Sequence, residues 1–171
     1  MGLDSTKDEF RFVYKPLKGD GVITARFVPQ PGSQFSTMGL MMRESLSEGS
    51  PNVSLMIYPG KTNQIEAPAW QVRLLSRNKT NINTAKSNEV FSLNDPAISW
   101  GRLTGSVWLR LQRKSNTFTG FTSYDGLKWT TIGTVSCPLN KIPLIGISVA
   151  SGIKTISSIF QLDNVSITNA L

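Results

Sequence analysis

The residues of this chain best suited to act on a ligand are its indoles and its mid-strand guanidiniums. Trp70 follows Ala67-Pro68-Ala69 and Trp100 precedes Gly101, so each indole stands at a loop–strand junction. There it either plugs the loop against the core or stands exposed as an apolar platform. Arg73 and Arg110 lie between apolar neighbours, in Val72-Arg73-Leu74 and Leu109-Arg110-Leu111, Arg77 has the parity of Arg73, and Arg43 has that of Met41. Side chains two apart on a strand share a face, and this parity gives one face of a sheet arginines where core hydrophobes would otherwise stand. The plain use of such a face is solvation, the arginine stems covering apolar surface. The alternative is recognition: a guanidinium is planar, always charged and carries five donors in a fixed fork. Sugars need both partners, a ring to stack on their apolar C–H faces and planar donors for their hydroxyls. Trp70, Trp100, Arg43, Tyr58, Arg73, Arg77 and Arg110 are therefore the candidate ligand-binding residues.

The chain has no histidine. That removes Ser-His-Asp triads, Cys-His nucleophiles, His-based zinc sites and imidazole acid–base chemistry. Glycoside hydrolysis by the usual route takes two carboxylates flanking one bond. The eleven acids are scattered, mostly in turns, and only Glu44 and Glu66 fall on or beside a strand. A lyase could use Tyr58 as base with Arg43 neutralising a uronate, which leaves one catalytic alternative open. Binding without turnover is the expectation. No cofactor is called for beyond a candidate structural calcium at Asp163, in the last strand-like segment.

Eighteen Lys and Arg against eleven acids give a formal charge of +7. Net charge speaks to association and solubility: the plain reading is solubility, and the sharper one is an anionic partner such as an acidic or sulfated glycan. Nucleic acid is not expected, since there is no basic helix, zinc-ligand spacing or RNP-type run. Nor is a membrane: apolar stretches such as Leu55–Tyr58 fall far short of the roughly 18 residues a span requires. The single Cys137 excludes an intramolecular disulfide and reads as a small semi-buried hydrophobe. Met1-Gly2-Leu3-Asp4 shows no basic and apolar leader pattern.

About ten short stretches of period-two apolarity, separated by Gly, Pro, Asn and Ser, predict an all-β protein. The expected architecture is a single domain over residues 1–171, a two-sheet antiparallel sandwich or jelly roll. Phe10–Tyr14 and Val22–Val28, joined by Lys18-Gly19-Asp20-Gly21, are expected to form a hairpin. Lys79–Pro96 reads as a long loop with one short strand at Val90–Leu93. Asp125-Gly126 has the chemistry of a tight turn, with Gly supplying positive φ and Asp capping the backbone. Trp108 and the neighbouring Trp129 are expected in the core.

Four segments together carry a family likeness: Phe12-Val13-Tyr14-Lys15-Pro16-Leu17, Gly39-Leu40-Met41-Met42-Arg43-Glu44, Trp108-Leu109-Arg110-Leu111 running on to Ser123-Tyr124-Asp125-Gly126, and Leu162-Asp163-Asn164-Val165-Ser166. The chain resembles the concanavalin A-like lectin/glucanase domains found as accessory modules in secreted bacterial proteins, including those at the C-terminus of β-xylosidases and the regulation-of-enolase-like group. The resemblance implies a jelly roll, an extracellular or cell-surface setting, a place as one module among others in a larger protein, and carbohydrate as ligand. The other function it admits is a structural or interaction domain with no sugar site.

Overall fold

The computed structural model describes residues 10–28, 36–58, 70–93, 105–151, 157 and 159–169, with the backbone alone over 85–93. They form strands and turns: β1 (Arg11–Pro16), β2 (Gly21–Val28), β3 (Thr37–Arg43), β4 (Asn52–Tyr58), β5 (Trp70–Arg77), β6 (Ala85–Leu93), β7 (Val107–Lys114), β8 (Thr117–Ser123), β9 (Thr130–Ser136), β10 (Leu144–Ala150) and β11 (Gln161–Asn169). A six-stranded sheet has the order β1-β10-β3-β4-β5-β6 and a five-stranded sheet the order β11-β2-β7-β8-β9. Every pairing is antiparallel. The all-β sandwich expected from the sequence is the fold observed.

Alternation builds the core. In β2, Ile23, Ala25 and Phe27 point inward while Thr24 and Arg26 point out; in β7, Val107, Leu109 and Leu111 do the same. The six-stranded sheet answers with Met38, Leu40 and Met42, Val53, Leu55 and Ile57, and Val72 and Leu74. Each such side chain, fully buried, contributes about 1.5–3 kcal/mol. β3 and β4 are buried at nearly every position, because their second face is covered too. There Met41, Met56 and Leu75 form a separate cluster against Phe10, Phe12 and Tyr58.

One expectation fails and one holds in part. β1 and β2 are not a hairpin: β1 pairs with β10 at the edge of one sheet, while β2 lies between β11 and β7 in the other. The chain between them changes sheets, with Leu17 wholly buried and its N–H donating to Pro143 O at 2.8 Å. The 79–96 region is also more regular than its composition implies. β6 takes nine residues of it, extending the expected strand at Val90–Leu93 back to Ala85, and β5 holds it through a ladder with an irregularity between Arg73 and Leu75.

Cys137 is buried in the core, its Sγ 3.5 Å from Arg77 O. Burial pushes its thiol up from 9.0 to about 11, with Glu44 adding to the rise and Arg113 opposing it. The folded thiol thus holds its proton where the unfolded one releases it. Stability is whole below pH 9.0 and should fall as pH rises towards about 11. Ellman's reagent should leave the thiol unmodified at pH 8 until denaturant is added. Rapid modification of the native protein would show that the site opens.

Candidate functional site

Arg43, Arg73 and Arg77 share the outer face of the six-stranded sheet. Arg43, Asn52 and Arg77 are Cα partners in one row across β3, β4 and β5, and Arg73 lies four residues back along β5 opposite Met56. Two of the three are occupied with structure. Arg43, almost wholly buried, donates from Nε to Ser45 O and from Nη2 to Ser47 O at 2.8 Å, with its guanidinium 5.1 Å from the Phe10 ring centre. Arg77 is wholly buried, donating to Ser50 O and Thr84 Oγ1 at 3.3 Å. Asn52 Nδ2 donates to the same Ser50 carbonyl at 3.1 Å. These residues fasten the 44–51 loop; the expectation that Arg43 and Arg77 meet a ligand is corrected, because burial and backbone carbonyls claim them.

Trp70 is corrected as well. It shares parity with Val72 and Leu74, lies in the core and is 2% exposed, so it plugs the sandwich. Trp100 and Glu66 lie outside the described residues. Tyr58 stands at the far end of β4 from Asn52, the partner of Arg43, so the pairing of Tyr58 with Arg43 does not form.

Tyr58 instead meets Arg73, whose guanidinium carbon lies 4.9 Å from its ring centre. Gln71, the cross-strand partner of Tyr58, accepts from Arg73 Nε at 3.1 Å and Nη2 at 2.5 Å through Oε1. All three side chains are half-buried. Among the described side chains no carboxylate meets Arg73. Across the same face, Phe12 and Tyr14 stack at 5.2 Å with an interplanar angle of 17°. Gln71 was findable by parity, two residues before Arg73.

Arg110 is on the other sheet. β7 turns it outward between Thr24 of β2 and Phe121 of β8, and its guanidinium carbon sits 3.8 Å from the ring centre of Trp129. Thr24 Oγ1 accepts from Nε at 3.4 Å, and burial lowers the pKa of Arg110 from its ordinary value. The strand arginines are therefore split between the two outer faces. Trp129 and Trp108, expected in the core, are half-buried on this outer side. Trp108 alternates with the inward Val107 and Leu109 of β7, and Gly126, at φ +74°, packs on its ring, where a Cβ would lie 2.9 Å away. Asp125 Oδ1 accepts from Leu127 N and Lys128 N at 2.8 Å and from Ser123 Oγ at 3.0 Å, and these donors, Lys128 N first, hold its carboxyl below the usual range. The turn chemistry expected of Asp125-Gly126 is present.

Asp163 pairs with Arg26 through both carboxylate oxygens and also accepts from Asn164 Nδ2 at 2.9 Å. The bond to Arg26 lowers its pKa. Asn164, at φ 50°, sits in the β11 bulge. Among the described residues no group of three His, Cys, Asp or Glu side chains gathers to hold a metal.

No family model matches the chain, and no curated sequence does. Solved structures do. A functionally unknown protein of Saccharomyces cerevisiae is 16% identical with a TM-score of 0.64, over 96% of this chain and 77% of that one. A xylan β-1,4-xylosidase from Bacillus halodurans is 13% identical with a TM-score of 0.62, over 89% of this chain and 28% of that one. The carbohydrate-binding module CBM66 from Bacillus subtilis is 9% identical with a TM-score of 0.54, over 90% and 76%. The fold is that of the concanavalin A-like jelly rolls. This chain spans less than a third of the xylosidase's length.

Proposed function

We propose that the protein is a non-catalytic carbohydrate-binding module, one part of a larger extracellular protein, and that its ligand meets Tyr58, Arg73 and Gln71. The observation that carries the reading is the Arg73–Tyr58 stack squared by Gln71. It sets a planar, oriented donor and acceptor edge beside an aromatic ring, on strands rather than on a loop. Arginine at such a site loses little freedom on binding, since its fork is already held. The formal charge of +7 supports an acidic or sulfated glycan over a neutral one. The fold shared with CBM66 supports carbohydrate as the class. Turnover is not proposed, since Asp20, Asp125 and Asp163 are engaged with Ser115 N, the 123–128 turn and Arg26 respectively.

A panel of plant and algal polysaccharides tests this. Wild type should be retarded in glycan-loaded gels, and Arg73→Gln and Tyr58→Ala should each weaken binding about tenfold, the scale of one desolvated cation–π or stacking contact. Glycan chain length should not change. New reducing ends or unsaturated uronates that vanish with Glu44→Gln or Tyr58→Phe would make the protein an enzyme. No retardation by any glycan would leave the structural-module reading in its place.

A further inference from the structure

The outer face of the five-stranded sheet carries a second stacked guanidinium, and its surroundings differ from those of the first. Cross-strand partners run Thr24–Arg110–Phe121 in one row and Asp163–Arg26–Trp108 in the next. Trp129 closes over Arg110 from the hairpin. Asp163 is the carboxylate this face carries among the described residues, and Arg26 already holds both of its oxygens. Asp125, in the adjoining turn, spends Oδ1 on three donors of that turn. Arg110 is left with an indole on its flat side and one hydroxyl at 3.4 Å. Its charge is thus uncompensated locally, partly desolvated and fixed in orientation. A bidentate anion is the partner such a fork fits best, and the half-buried ring beside it suits the apolar side of a sugar.

We propose that this face is a second glycan site, in which Arg110 takes the carboxylate or sulfate of an anionic sugar unit while the sugar lies against Trp129. It rests on the preceding reading in taking the ligand to be a glycan, and goes beyond it in giving the module two sites on opposite faces. Two sheets packed about 10 Å apart separate these sites by more than one sugar unit. One module can then bridge two polysaccharide chains, and its avidity on dense substrate exceeds that of either site alone.

The test uses gel retardation by neutral dextran, dextran sulfate and polygalacturonate, with thermal melts as the check on folding. Arg110→Gln should lose tenfold or more of its affinity for the two anionic polymers, melt within a few degrees of wild type and leave the Tyr58-dependent binding intact. Comparing the two polymers separates sulfate from carboxylate as the preferred anion. Arg110→Lys, which keeps the charge without the planar fork, should recover less than half of the loss. Wild type should form turbid cross-linked mixtures with whichever anionic polymer it binds, and both Arg110→Gln and Arg73→Gln should abolish the turbidity. Undiminished anionic binding by a folded Arg110→Gln would overturn the site. Full recovery by Arg110→Lys would replace it with a diffuse charge effect. Binding confined to neutral polymers overturns this site and the acidic preference of the first while leaving the carbohydrate reading, whereas binding to none of these and none of the plant and algal panel sinks both proposals.

Discussion

Trp70→Ala is expected to lose about 3–5 kcal/mol of stability, the range for emptying a large aromatic site in a core. In a domain of this size that is a fall of roughly 6–20 °C in melting temperature. The indole is 2% exposed, begins β5 and packs with Val72 and Leu74 against the facing sheet. Trp129→Ala should cost only about 1 kcal/mol, the worth of a partly exposed cation–π stack. Thermal melts of the two variants side by side decide the matter. Equal losses would show that Trp129 is as much a core residue as Trp70.

That contrast marks where the sequence is legible and where it is not. Parity within a strand is local, and it correctly put Arg43, Arg73 and Arg77 on faces opposite the core hydrophobes. It cannot say which sheet a strand joins. Arg110 has the same local pattern as Arg73, yet the two point out of opposite sides of the sandwich. The same limit explains β1 and β2: a Gly-Asp-Gly connection between two apolar stretches suits a hairpin, but burying Leu17 in the crossing segment is the outcome the whole fold selects. Parity also says nothing about what covers an outward face. Arg43 and Arg77 were on the expected face, but the 44–51 loop, whose Ser45, Ser47 and Ser50 carbonyls need donors, folds onto them. A buried carbonyl without a donor is costly, so the loop and the arginines fix each other. Of β6, the apolar Val90–Leu93 end is legible in the sequence, whereas Lys86–Glu89 is polar, and a ladder partner made it a strand where propensity alone would not.

Gly39→Ala is expected to lose about 3 kcal/mol, close to the low end of the loss from emptying the Trp70 site, by the opposite mechanism. A Cβ at Gly39 would lie 2.1 Å from Leu55 O and 2.8 Å from Met56 Cα and Sδ. The thioether could move, but the carbonyl and the Cα are backbone of β4. β3 is pinned between β10 and β4, and β4 between β3 and β5, so neither strand can give way alone. Overpacking in a tight core costs typically about 1–3 kcal/mol and occasionally more, and a clash with backbone in the middle of a six-stranded sheet belongs at the upper end. Gly146 supplies the control. Its Cβ would meet Val13 O at 2.0 Å and Tyr14 Cα at 2.7 Å, again backbone, but β1 is an edge strand with Val13 74% exposed. Gly146→Ala should therefore shed β1 and speed hydrogen exchange over 11–16 while the rest of the sheet stays protected. Gly39→Ala should lower protection throughout both sheets and melt well below Gly146→Ala. If the two variants melt together, β3 and β4 can part as readily as β1 and β10, and the centre of the six-stranded sheet is not the rigid support that the Tyr58–Arg73 stack requires.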